Sequence, residues 1–260
     1  MKDKIYQSMI ELTNGKWSSS FIKKFAQSSW SKKSIPLYMK YFSITTEENV
    51  RESKEFTTLH EFFTRHLKAE SRPINQDEHG IISPVDALVE NFGDITSKGI
   101  FHVKDKAYTL QDMLGSEELA EKYVNGKYII LYLSPAEYHR IHAPVDGEVI
   151  RQYLLGKKSY PVNTWGLQYG KKTISGNYRL LTELKMPNGK NCFSIKVGAM
   201  FVNSIELTNT SNSWKKGEEV GYFSFGSTVV MLFTEDSMEF LPTLEKDHFV
   251  RMGELVANML

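Results

Sequence analysis

Two histidines, His139 and His142, flank Arg140 in the run Tyr138-His139-Arg140-Ile141-His142-Ala143-Pro144, between an apolar strand pattern and a proline turn. Histidine moves protons near neutral pH, and arginine offers a planar fork to carboxylate or phosphate, so the cluster suits proton transfer on an anionic substrate. It is a weak zinc site. The spacing is not His-Glu-x-x-His, and no cysteine or carboxylate stands at a recognisable third-ligand spacing, so no metal is expected. The bland reading is a surface pair, or one buried and satisfied imidazole.

A second run, Gly217-Glu218-Glu219-Val220-Gly221-Tyr222-Phe223-Ser224-Phe225-Gly226-Ser227-Thr228-Val229-Val230, places a Gly-Ser pair inside an otherwise apolar strand. Its glycines read simply as hairpin punctuation, yet glycine weakens a strand unless another group must approach the backbone. A serine behind such a glycine can turn its hydroxyl onto the preceding carbonyl once a base takes its proton. Asp86 can orient a histidine, the histidine can act as base, and Ser227 as nucleophile, which is triad logic applied to the chain itself. Alone, Asp86 is equally a turn-forming aspartate after Pro84. No P-loop, dinucleotide fingerprint or Gly-x-Ser-x-Gly elbow is present.

These groups must be held by a scaffold that reads as α+β, an N-terminal helical layer followed by a largely antiparallel β core. Helical spacing relates Ile5, Met9 and Leu12, and then Trp17, Phe21 and Phe25. A helix is predicted over 58–68, where Thr58 and Glu61 form a capping box and Leu59, Phe62, Phe63 and Leu67 line one face until Arg72-Pro73. Another is predicted over 109–123. Strands are predicted over 81–92, 127–133, 148–154, 178–185, 192–197, 201–208, 221–225 and 227–233, separated by turns such as Pro187-Asn188-Gly189. Helices do not alternate with strands, which argues against a doubly wound parallel sheet. A faint repeat relates 83–89 to 143–149, either two similar strand entries or a shared turn preference.

The chain of 260 residues is 41% hydrophobic and 24% charged, enough for a substantial core within a single domain over 1–260. Its one cysteine, Cys192, forbids an intrachain disulfide. The apolar runs at 128–133 and 229–233 are far short of a membrane span, and the start has no continuous apolar stretch of a signal peptide. The expectation is a soluble, intracellular protein. Net charge is only +1, but residues 1–40 carry eight lysines and two acids. A basic amphipathic stretch with aromatics suits an anionic membrane surface, and equally an ordinary helix with solvated lysines. Nucleic acid is excluded as a partner because the rest of the chain is acidic.

Taken together, these motifs resemble the phosphatidylserine decarboxylases in their short bacterial form. The resemblance rests on Phe62-Phe63-x-Arg65 with Arg72-Pro73-Ile74, Ser83-Pro84-Val85-Asp86, and Tyr132-Leu133-Ser134-Pro135-x-x-Tyr138-His139-Arg140-x-His142. It continues through Val197-Gly198-Ala199 with Ser204-Ile205, Gly217-Glu218-Glu219-x-Gly221-x-Phe223 and Phe225-Gly226-Ser227-Thr228, in order over roughly 55–235. It implies a self-processing enzyme. Ser227 attacks the carbonyl of Gly226, and the chain divides into 1–226 and 227–260, which stay associated. Ser227 becomes a pyruvoyl group, whose carbonyl forms a Schiff base with the serine amine of phosphatidylserine, while the conjugated amide carbonyl takes up the electrons left by CO2.

By matching position, Asp86 and His142 complete the relay with Ser227, and His139 serves the decarboxylation. Arg140 and Tyr138 fall on the substrate, with Arg140 against the lipid phosphate. The resemblance also implies a peripheral enzyme at the cytoplasmic face of the cell membrane and suggests a homodimer. Ala87, Asn203 and Tyr178 depart from the family's usual glycine, glycine and glutamate, and none removes a reacting group. A β-rich lipid-binding module or a histidine phosphocarrier without self-cleavage is the alternative. A lipoyl-type carrier would need a lysine at a tight hairpin tip, which no segment convincingly offers.

Overall fold

A computed structural model describes residues 24–103, 106–158, 160, 173–199, 205–224 and 227–260. The strands are β1 (Gly80–Ile82), β2 (Ala87–Asp94), β3 (Ile100–Val103), β4 (Lys106–Thr109), β5 (Lys127–Leu133), β6 (Arg140–His142), β7 (Gly147–Leu155) and β8 (Arg179–Lys185). They continue as β9 (Asn191–Gly198), β10 (Ile205–Leu207), β11 (Ser213–Trp214), β12 (Glu219–Phe223), β13 (Ser227–Phe233), β14 (Met238–Phe240), β15 (Phe249–Val250) and β16 (Leu255–Met259). The largest sheet has the order β11-β7-β8-β9-β13-β5-β2-β15, with every neighbouring pair antiparallel. Smaller sheets run β10-β12-β6 and β1-β16-β14, and β3 pairs β4. The fold is α+β, as the sequence predicts.

Strand β13, Ser-Thr-Val-Val-Met-Leu-Phe, is buried at every position. It is central, so both faces are covered and the alternation of a half-solvated strand disappears. Val229, Met231 and Phe233 enter one core, while Val230 and Leu232 enter another shared with the segment 95–123. A third cluster joins Ile35, Phe56, Leu59 and Phe62, attaching the N-terminal layer. That layer contains a 3-10 turn at Ser29–Ser34 and a helix at Ile35–Phe42, opened by Pro36 and ended by Ser43 in the left-handed region. The helical spacing read over residues 5–21 lies outside the described residues.

Several predicted boundaries shift for identifiable reasons. The strand predicted over 81–92 breaks at 83–86, where Pro84 lacks a ladder donor, and Asp86 occupies the break. The helix over 58–68 ends after Phe63, and Leu67 instead forms a bridge with Asn49. The helix over 109–123 divides into Leu110–Leu114 and Glu117–Glu121, because Gly115 adopts φ 71° and Ser116 caps a new start. Strand 201–208 is described only as β10, and 221–225 becomes β12, which starts two residues earlier.

The faint repeat has a structural basis. Ile82 N donates to Pro144 O at 3.0 Å and His142 N to Pro84 O at 2.9 Å, so the two proline segments cross reciprocally. Each then grips a glycine turn in the same way. Ser83 N donates to Glu254 O and Ser83 O accepts from Gly253 N, while Ala143 N donates to Glu218 O and Ala143 O accepts from Gly217 N. Asp86 accepts from Met252 N at 2.9 Å, and Asp146 from Lys216 N at 2.7 Å. Gly217 and Gly253 have φ of 79° and 92°, where a side chain would be strained. Arg251-Met252-Gly253-Glu254 is therefore the counterpart of Lys215-Lys216-Gly217-Glu218, and the molecule contains two similar strand entries.

One core residue breaks the apolar rule. Lys196 on β9 is fully buried, donating to Thr182 Oγ1 at 2.9 Å and lying 4.8 Å from the Trp214 ring centroid. Burial lowers its pKa to about 7. The unfolded value is about 10.4, so the folded state carries a penalty that is full below pH 7 and fades as pH rises towards 10. Thr182 also accepts from Gln152, so removing the amine does not orphan it. Lys196→Met is expected to stabilise the chain at pH 7 by roughly 1–4 kcal/mol and to flatten the rise in stability between pH 7 and 10. Urea unfolding at the two pH values checks this, and a destabilised variant would refute it.

Candidate active site

Asp86 sits in the turn after β1, 2% exposed. Arg72 grips it from Nε at 2.8 and 3.0 Å and from Nη2 at 2.5 Å, and Met252 N adds a bond at 2.9 Å. Arg72 in turn pairs with Glu48 at 2.9 Å. The carboxylate is thus fixed and charge-balanced inside the protein.

His142 closes β6, where its amide bonds Pro84 O and so lies beside the turn carrying Asp86. Its Nδ1 is 2.8 Å from Gly217 O and its Nε2 is 3.2 Å from Tyr138 Oη. A carbonyl only accepts, so Nδ1 carries the ring proton and Nε2 presents its lone pair to the tyrosine hydroxyl. Burial lowers the His142 pKa, with the Gly217 bond, Glu219 and Asp86 acting against it and Arg140 reinforcing it. Near neutral pH the ring is an uncharged base. The Tyr138 hydroxyl is pushed up by the same burial.

His139 is completely buried and stacks on Phe63 with ring centroids 3.9 Å apart. Among the described residues its ring nitrogens make no close, well-aligned hydrogen bond, though the Ser134 backbone lies near enough to favour the protonated ring. Burial holds its pKa well below the usual range, and the charge of Arg65 adds to the effect. Its carbonyl accepts from Phe223 N at 3.0 Å, which anchors the end of β12 here. Four residues later Ser227 opens β13 opposite Leu133 and Gly198, fully buried, with Oγ unpartnered among the described residues. Gly226 and Phe225 lie outside the described residues.

The fold therefore gathers the turn of Asp86, both histidines and Ser227 around the ends of β5, β6 and β12. No hydrogen bond joins Asp86 to His142, or His142 to Ser227, among the described residues. Arg140 is occupied, pairing with Glu219 at 2.6 Å and donating to Thr64 O at 3.0 Å. Among the described residues, no group of three or more His, Cys, Asp or Glu side chains could hold a metal ion.

The family model for phosphatidylserine decarboxylase matches residues 59–258. A phosphatidylserine decarboxylase proenzyme of Bacillus thuringiensis subsp. konkukian is 47% identical over 260 residues, covering 100% of this chain and 99% of the relative. A proenzyme of the same name from Geobacillus sp. is 50% identical over 255 residues, covering 98% of each chain. The chain belongs to the phosphatidylserine decarboxylase family.

The decarboxylase match spans Asp86, both histidines and Ser227, whereas Glu48 and Asn49 precede it. Sequence reasoning gave Arg72 no role beyond ending a helix, although the arginine sits beside a proline in a motif of the family. It also missed the Gly217 carbonyl, because a backbone acceptor leaves no residue-type signal. The grip of Arg72 on Asp86 generates a test. Arg72→Leu leaves a buried carboxylate without its cation and is expected to cost about 3–5 kcal/mol, part of which Asp86→Asn in the same chain restores. Urea midpoints of the single and double variants measure this, and a loss under about 1 kcal/mol for Arg72→Leu would contradict it.

Proposed function

We propose that this chain is one decarboxylase domain that cuts itself between Gly226 and Ser227 and then converts phosphatidylserine to phosphatidylethanolamine and CO2. The carrying observation is identity of 47–50% over 98–100% of the chain with relatives named proenzymes. Ser227 Oγ forms a bond to the Gly226 carbonyl carbon as the Gly226–Ser227 amide C–N bond breaks, turning the amide into an ester. Loss of the Ser227 α-proton then expels Gly226 as a carboxylate, and water replaces the resulting enamine nitrogen, releasing ammonia. His142, neutral and with Nε2 unprotonated, serves as the base, with Tyr138 and the Gly217 carbonyl fixing its ring. Asp86 supplies a balancing negative charge nearby.

The surroundings of Ser227 suit a pyruvoyl group: the position is buried, its hydroxyl is unclaimed among the described residues, and one of its two cross-strand neighbours is Gly198, which has no side chain to obstruct it. Such a group supplies the electron-accepting carbonyl that ordinary side chains lack. His139 is the proposed proton donor to the substrate carbon that loses CO2. An anionic substrate entering beside it raises its affinity for a proton. The two products of cleavage remain joined, since β13 pairs over its full length with both β5 and β9.

The proposed docking is at the cytoplasmic face of the membrane, and the N-terminal layer supports its coarser part, contact with a lipid surface. Trp30, Leu37 and Tyr41 are 75%, 70% and 79% exposed, among the exposed Lys24, Lys32, Lys33 and Lys40. Large apolar side chains beside lysines suit an anionic lipid surface. No helix among the described residues is long and apolar enough to cross a membrane.

Two outcomes are expected. Denaturing mass spectrometry of the purified protein gives chains 1–226 and 227–260, the second lacking one ammonia relative to an N-terminal serine precursor and blocked at its N terminus. Ser227→Ala gives one inactive chain, and a cleaved Ser227→Ala protein would overturn the reading. Replacing Trp30, Leu37 and Tyr41 together with alanine weakens sedimentation with phosphatidylserine-containing vesicles at least tenfold, from roughly 1.5–3 kcal/mol per buried large side chain. Unchanged binding would remove the docking assignment.

A further inference from the structure

We infer that Arg65 and Asn49 form a subsite for the phosphodiester of the substrate head group, an inference that rests on the decarboxylase reading. Both line a pocket of about 260 Å³ whose wall also includes Asp86, Arg72, Glu137 and Tyr138. Arg65 is 5% exposed and Asn49 4%. Arg65 Nε donates to Asn49 Oδ1 at 3.2 Å and Nη2 to Ala136 O at 2.9 Å, but Arg65 Nη1 and Asn49 Nδ2 have no partner among the described residues. Both unspent groups are pure donors, and buried donors without acceptors cost stability unless something fills the role. A ligand rich in acceptor oxygens satisfies them together.

The other charges in the pocket are already committed. Asp86 and Glu48 are held by Arg72, and Glu137 accepts from Ser134 Oγ at 2.8 Å, with burial pushing its own pKa up. Arg140, the residue that sequence reading set against the phosphate, is spent on Glu219 and Thr64. Arg65 lines this pocket and keeps one guanidinium nitrogen without a hydrogen-bond partner among the described residues.

Phosphatidylserine offers two anions, and chemistry separates them. The carboxylate must lose its charge as CO2 forms, so a cation upon it stabilises the starting state and slows the reaction. The phosphodiester keeps its charge throughout, and a cation upon it anchors substrate without that penalty. The same contact offsets the positive charge that Arg65 projects onto His139, easing proton uptake there.

Asn49→Asp is the discriminating variant. It keeps the Oδ1 acceptor for Arg65 but converts the unpartnered donor into a negative oxygen that repels phosphate. In full-length Ser227→Ala protein, titration with glycerophosphoserine is expected to give tighter binding than inorganic phosphate, and adding Asn49→Asp weakens it about tenfold or more, the size of one charge-assisted hydrogen bond. In the processed enzyme, Asn49→Asp and Arg65→Gln raise KM for phosphatidylserine by a similar factor, with a smaller fall in kcat. A merely bracing role for Asn49 predicts no change in either assay. Absent binding to the Ser227→Ala protein, or binding indifferent to Asn49→Asp, overturns the subsite, and equal affinity for inorganic phosphate overturns its assignment to the head group. Failure of the unsubstituted chain to cleave is a separate result, read by mass, that counts against the decarboxylase reading itself.

Discussion

The reciprocal pair of backbone bonds between Ile82 and Pro144 and between His142 and Pro84 is the constraint on which the site depends. Proline removes a donor from each segment, so neither can continue as an ordinary ladder strand, and the two breaks meet each other. Their meeting puts His142 against the turn that carries Asp86. Each break also seizes a glycine turn, and the Gly217 turn does a second task by offering its carbonyl to the His142 ring. A duplicated packing device has thus been made asymmetric at one residue. Where one segment has Ile82, the other has His142, and only the second carries a side chain able to exchange a proton.

The arrangement around the histidines follows from water exclusion. His139 and Ser227 are wholly buried, and His142 and Arg65 nearly so, and several of their polar atoms lack partners among the described residues. Each such atom costs on the order of 1–3 kcal/mol. The surrounding β framework, with β13 buried along its entire length between two full-length partners, tolerates that cost. Local rules of polar satisfaction fail where chemistry is expected to occur.

Much of this was legible in the sequence. Strands 127–133 and 227–233 were read at their true ends, because a short, β-branched and apolar run admits one structure when turn residues bound it. The candidate positions were legible because residue type signals the chemistry proposed for His139, His142 and Ser227. What escaped depends on tertiary placement. Gly115 divides a periodic helix, and Pro84 divides a periodic strand, although apolar periodicity runs through both. The partner of Asp86 was illegible for another reason: Arg72 lies 14 residues before it in sequence and is brought there by the N-terminal layer packing on the sheet. The equivalence of Arg251-Met252-Gly253-Glu254 with Lys215-Lys216-Gly217-Glu218 escaped because two glutamates and two glycines are too little pattern without the hydrogen bonds they share.

Among the described residues no hydrogen bond joins Asp86 to His142, which bears on how the proposed relay would work. A carboxylate bonded to Nδ1 would strengthen the imidazole as a base, whereas a carbonyl in that place fixes the tautomer with little gain in basicity. Self-processing occurs once in the life of each molecule, so a fast base is not required. A correctly oriented and neutral one suffices, and burial secures neutrality. Decarboxylation recurs on every turnover and makes the greater demand, for a proton delivered in a dry site. The residue proposed for it, His139, is the more deeply buried of the two and stacked on Phe63. The two histidines share a motif of four residues, yet the fold fixes the tautomer of His142 through Gly217 and Tyr138 and gives His139 no such pair of partners among the described residues, a difference that suits the two separate proton transfers proposed for them.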